Sequence, residues 1–79
     1  APTIHRTLLA MREALLAGRP RAQVEADADA ALRATGFVPD YAVIRRPDFT
    51  APADGEGGAH VALIAARLGR TRLIDNIEF

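Results

Sequence analysis

The pair Gly69-Arg70 lies between two runs that read as β-strands, residues 60–67 and 71–77. Glycine accepts the positive φ that the first central position of a type II′ turn demands, and such turns match the twist of the strands they join. A two-residue turn fixes the register. Leu68 then opposes Thr71, Ala66 opposes Leu73, Ile64 opposes Asp75 and Ala62 opposes Ile77. Because side chains alternate along a strand, these residues share one face. The other face carries Val61, Leu63, Ala65 and Ile74, with Arg67, Arg72, Asn76 and Glu78 around them. Both faces are substantially apolar. A turn one residue longer would exchange their membership.

Two helices precede the hairpin. Ile4, Leu8, Met11 and Leu15 recur at helical spacing across residues 2–17, and Leu9 and Leu16 widen the stripe. Gly18 ends this segment, and Pro20 suits the first turn of a second helix over residues 20–34. Val24, Ala28, Ala31 and Leu32 form its inward face, and Gly36 terminates it. Residues 41–44, Tyr-Ala-Val-Ile, form a short strand. Residues 47–58 hold two Pro, three Gly and three acidic residues, the composition of a mobile loop without a core.

The fold class is therefore α+β: two helices packed on one face of a small three-stranded antiparallel sheet, in the order ααβββ. All 79 residues make a single domain. Two helices cover only one side of such a sheet. Each large aliphatic side chain left in water forgoes about 1.5–3 kcal/mol of burial. Val61, Leu63 and Ile74 are thus expected to meet something outside the chain, or the long loop folded over them.

Composition restricts the chemistry. The chain has no Cys, Ser or Lys, which removes thiol and serine nucleophiles, Schiff bases and a Walker-type lysine. All ten basic residues are Arg, and ten acidic residues balance them. A neutral total argues against a dedicated nucleic-acid binder. No run approaches the roughly 20 apolar residues of a membrane helix.

Residues 65–77 read Ala-Ala-Arg-Leu-Gly-Arg-Thr-Arg-Leu-Ile-Asp-Asn-Ile. This run resembles the C-terminal segment of the pantothenate synthetase (pantoate–β-alanine ligase) family, Ala-Ala-Arg-Leu-Gly-x-Thr-Arg-Leu-Ile-Asp-Asn. Gly36-Phe37, followed by Asp40-Tyr41 and Val43-Ile44-Arg45, is similar to the family's Gly-Phe…Asp-Tyr-x-x-x-Arg strand entry. The chain departs from the family at Arg45-Arg46-Pro47-Asp48, and residues 49–58 match no family pattern.

The resemblance implies that the chain is the C-terminal lid domain of a two-domain enzyme. Such ligases use ATP and Mg²⁺ to form a pantoyl adenylate, which the amine of β-alanine attacks to give pantothenate and AMP. The nucleotide site belongs to an N-terminal Rossmann-like domain bearing a His-x-Gly-His-type motif and a Ser-Ser-Arg-Asn motif. Neither motif occurs here, so no catalytic, cofactor or metal residue of the family carries over to this sequence. The resemblance further implies a cytoplasmic parent enzyme, a homodimer. Its partners would be its own catalytic domain, pantoate and β-alanine, with no nucleic acid or membrane.

Several residues remain as candidates. Arg67, Arg70 and Arg72, with Thr71 among them, could contact phosphate or adenylate on closure. The plainer reading is a solvated turn whose arginines protect the strand ends. Asp75 lacks a second acid or positioned His, so it is expected to cap a helix or pair with an Arg. His5 and His60 are expected at the surface, without the ligand set of a zinc site. Phe37 and Tyr41 are expected in the core. Phe49 and Phe79 are too scattered to join them in a base-stacking platform. Two rival readings follow: a stand-alone protein-interaction module using the outer sheet face or an edge strand, and a small RNA-binding domain using the Arg-rich hairpin.

Overall fold

The computed structural model describes residues 2–79. Helix α1 spans Pro2–Leu16 and α2 spans Arg21–Ala34. Strands β1, β2 and β3 follow at Val38–Arg45, Val61–Leu68 and Thr71–Glu78. The strands form one antiparallel sheet in the order β1-β2-β3. This is the α+β, ααβββ architecture that the sequence pattern implies.

The hairpin has the expected register, with Leu68 opposite Thr71, Ile64 opposite Asp75 and Ala62 opposite Ile77. Gly69 has φ +62°, and among the described residues Phe49 is the only non-glycine with positive φ. Arg70 therefore has negative φ, the combination of a type II′ turn. Both helices stop by the same device. At the end of α2, the Gly36 N–H donates to the Arg33 carbonyl and the Phe37 N–H to the Leu32 carbonyl. This is the Schellman arrangement, and Gly36 supplies its left-handed residue at φ +90°.

The core lies between the helices and the inner sheet face. Ile4, Leu8 and Met11 of α1 and Val24, Ala28 and Leu32 of α2 meet Ile44, Ala62, Ile64 and Ala66. The alanines let the helices approach the sheet closely, and fully buried Ile64 fills the centre. Leu16 and Ala31, expected to face inward, are exposed instead, because the buried stripe of each helix is narrower than its apolar residues suggest.

Strand β1 is longer than the expected residues 41–44. It starts at Val38 and includes Pro39, which an edge strand tolerates because its outer N–H needs no ladder partner. The pairing with β2 shifts between Pro39 and Tyr41, leaving Asp40 as the extra residue of a bulge.

The connection after β1 also differs from expectation, since hydrogen bonds tie it down. The Arg46 guanidinium grips Glu56 through Nε at 2.8 Å and through Nη2. Asp48 accepts the Thr50 N–H at 3.0 Å and its hydroxyl at 2.6 Å. Asp54 accepts the Arg21 N–H at 2.9 Å, and the Pro52 carbonyl accepts Arg21 Nε at 3.2 Å. The first turn of α2 is thus capped from a loop 33 residues away, while its own N-cap, Pro20, offers no side-chain acceptor.

Candidate functional site on the open face of the sheet

The face of the sheet turned away from the helices is built in rows across the three strands. Val38, Arg67 and Arg72 form the row nearest the turn. Tyr41, Ala65 and Ile74 form the next, then Val43, Leu63 and Asn76, then Arg45, Val61 and Glu78. The apolar side chains cluster in the middle rows. Ile74 is 59% exposed, Val38 57% and Tyr41 38%. Ala65, although on this face, is fully buried beneath its larger neighbours.

Val61 and Leu63 share a groove of about 550 Å³ with Pro47 and Phe49 of the loop and with Phe79. Val61 is buried and Leu63 half-buried there, so the loop reaches one end of this face, as one of the two expectations held. Ile74 remains open. Tyr41 lies on this open face and not in the core, because the bulge at Asp40 sets which side it takes. Phe37 is buried as expected.

Arg67 and Arg72 sit directly opposite each other, a like-charge pair that is unfavourable by itself. The bulge residue offsets the repulsion. Arg72 Nε donates to Asp40 Oδ2 at 2.9 Å, and Arg67 Nη2 lies 3.2 Å from Asp40 Oδ1. One carboxylate holds two guanidinium groups, each through a single nitrogen. Arg70, at the turn, makes no ion pair among the described residues.

Asp75 lies on the inner face as expected, yet it is exposed and caps no helix. Its carboxylate accepts only the neighbouring Asn76 N–H, at 2.8 Å. Strand β3 is an edge strand, and although its Leu73 and Ile77 pack against the core, the helices leave Asp75 uncovered. His5 is exposed, but His60 is buried against Phe79 with ring centroids 5.7 Å apart. The two residues also exchange backbone hydrogen bonds of 2.7 and 2.9 Å, adding a row to the β2–β3 ladder. Among the described residues no group of three His, Asp or Glu is placed to hold a metal ion.

A second polar knot binds α2 to the edge of β1. Glu25 Oε2 accepts the Ile44 N–H at 2.9 Å, Arg45 Nη1 at 3.0 Å and Arg21 Nη1 at 3.1 Å. The Glu25 carboxylate thus satisfies an edge N–H that would otherwise lack a partner. In the loop, Arg46 hydrogen bonds and the Ala53 N–H hold the Glu56 carboxyl down at about 2, and Thr50 holds Asp48 below its ordinary value. Glu25, Asp40 and Asp54 are not legible as pivots, since each is tied to an element 19 to 33 residues away.

The match to known proteins is extensive. Residues 1–78 fit the family model described as pantoate-beta-alanine ligase. The chain belongs to the pantoate–β-alanine ligase family. It is 65% identical over 79 residues to the pantothenate synthetase of Stenotrophomonas maltophilia strain R551-3, covering all of this chain and 28% of that protein. It is 63% identical over 76 residues to the enzyme of Xanthomonas oryzae pv. oryzae strain PXO99A, covering 96% of this chain and 27% of that protein. The crystal structure of pantothenate synthetase from Thermus thermophilus superposes with a TM-score of 0.80 at 36% identity, over 98% of this chain and 28% of that one. The chain thus spans little more than a quarter of the length of these relatives. The hairpin motif's assignment of the chain as a pantothenate synthetase C-terminal domain holds.

Proposed function

We propose that this domain is the cover of an ATP-dependent ligase that condenses pantoate with β-alanine through a pantoyl adenylate. The observation that carries the reading is the two-sided sheet. One face is closed by α1 and α2, and the other leaves Val38, Tyr41 and Ile74 exposed in adjoining rows. An apolar face of this kind is suited to a second surface. A rigid domain seated over a nucleotide site limits water while an acyl adenylate waits for its amine.

On this reading the ligase acts in the cytoplasm as a homodimer. Its ATP and Mg²⁺ are held mainly by the catalytic body. The domain supplies closure and not chemistry. The purified 79-residue chain, given ATP, Mg²⁺, pantoate and β-alanine, is therefore expected to form no pantothenate. Product formed by the chain alone would overturn the reading.

A further inference from the structure

The two ion-paired arginines at the hairpin end are arranged unlike the other ion-paired arginines among the described residues. Arg33, Arg12 and Arg46 are each ion-paired to one carboxylate, and Arg21 and Arg45 converge on Glu25 beside the core. At the turn, Arg67 and Arg72 share a single carboxylate, Asp40, and Arg70 beside them makes no ion pair among the described residues. The chain as a whole is neutral. This end therefore carries a local excess of positive charge that the composition does not reveal.

The geometry also keeps donors free. A guanidinium has five N–H groups in a rigid fork. Asp40 engages one nitrogen of Arg72 and one of Arg67, and it sets the two groups side by side across the β2–β3 pair. The remaining N–H groups belong to side chains that are 50% and 60% exposed. The adjoining row, Tyr41, Ala65 and Ile74, is a shallow apolar floor: Ala65 is buried between two larger, exposed side chains.

We propose that Arg67 and Arg72, positioned by Asp40, together with Arg70 form a binding site for the phosphate groups of a nucleotide, whose less polar part rests on Tyr41 and Ile74. Bidentate guanidinium donors fit phosphate oxygens, and charge-assisted hydrogen bonds are the stronger ones. The site rests on the ligase reading in one respect only: a domain closing over an ATP-using body would present this face to a nucleotide. Its test needs neither catalysis nor a second domain.

The test is an NMR titration of the ¹⁵N-labelled chain, reading the Arg Nε–H and backbone signals, with inorganic pyrophosphate in one arm and ATP in the other. Saturable shifts confined to Arg67, Arg70 and Arg72 are expected in both arms. Shifts at Tyr41 and Ile74 and tighter binding are expected with ATP alone. Replacing Arg72 by Gln (R72Q), or independently Arg67 by Gln (R67Q), is expected to weaken binding by about tenfold or more, from the usual worth of a hydrogen bond to a charged group. Arg33→Gln, on α2, is expected to leave it unchanged. The spectra report directly whether each variant is folded. Equal affinity for both probes, with Tyr41 and Ile74 unmoved, would overturn the nucleotide assignment in favour of free pyrophosphate. Absent shifts, or shifts spread evenly over all the arginines, would overturn the site. Either result would leave the closure reading to its own assay.

Discussion

Replacing Glu25 by Ala should remove more stability than its partial exposure suggests. The carboxylate is about 20% exposed and accepts three hydrogen bonds through one oxygen, from Ile44 N, Arg45 Nη1 and Arg21 Nη1. The Ile44 bond matters most, because Ile44 is fully buried and its N–H lies on the free side of an edge strand. Losing a hydrogen bond to a charged acceptor costs about 1.5–3 kcal/mol. The two arginine pairs are part-exposed, so solvent screening limits each to roughly 0.2–1 kcal/mol. Together these give a loss of about 2–5 kcal/mol. A domain of this size has on the order of 4–12 kcal/mol in total. The melting temperature should fall by roughly 8–40 °C. Glu25→Gln keeps an acceptor for Ile44 but no charge, so it should lose about half as much. Urea denaturation of both variants, with Arg45→Ala as the second arm of a double-mutant cycle, measures the terms separately. A Glu25→Ala loss below about 0.5 kcal/mol would show that the knot is ornamental and that β1 is held by apolar packing alone.

Three other perturbations probe the connections. Glu56 has its carboxyl at about 2, against an ordinary 4.5, because Arg46 and the Ala53 N–H hold the charged form. A depressed carboxyl stabilises the fold fully above the ordinary value and loses that contribution as pH falls toward about 2. The loop should therefore loosen between those values, and Glu56→Gln should abolish that dependence. Carboxyl ¹³C titration reads the first effect, and amide exchange at residues 47–58 reads both. Asp54→Ala removes the cap of α2 and should cost about 1 kcal/mol, with faster exchange of the Arg21 amide. Gly69→Ala meets no atom within 4 Å, so its cost is purely conformational, about 1 kcal/mol for a non-glycine at φ +62°. Thermal melts check both.

The elements legible in the sequence are those governed by neighbours. Gly69 and strict alternation set the hairpin register, and Gly18 and Gly36 stop the helices, because these signals act within a few residues. The pattern also shows both faces of β2 and β3, including the apolar surface that the helices cannot cover. What the pattern hides depends on distant partners. Asp54 caps a helix 33 residues earlier in the chain, and Glu25 reaches β1 across the sheet edge. The bulge at Asp40 hides behind Pro39, which reads as a strand breaker until the strand is known to be an edge. Asp75 misleads for a related reason: inner-face register does not ensure burial on an outer strand. His60 reads as a surface histidine until Phe79 is seen to stack on it. The arginine end is visible as residues, whereas the carboxylate that aligns two of them is not.

The most direct measurement compares a whole pantothenate synthetase, such as that of Stenotrophomonas maltophilia, with the same enzyme lacking the segment that matches this chain. Pantoyl adenylate formation and its loss to water are followed by quenched-flow with β-alanine withheld. If the domain is a cover, the shortened enzyme releases AMP from hydrolysed adenylate faster and forms adenylate more slowly than the intact one. Identical rates of both steps in the two proteins would contradict it.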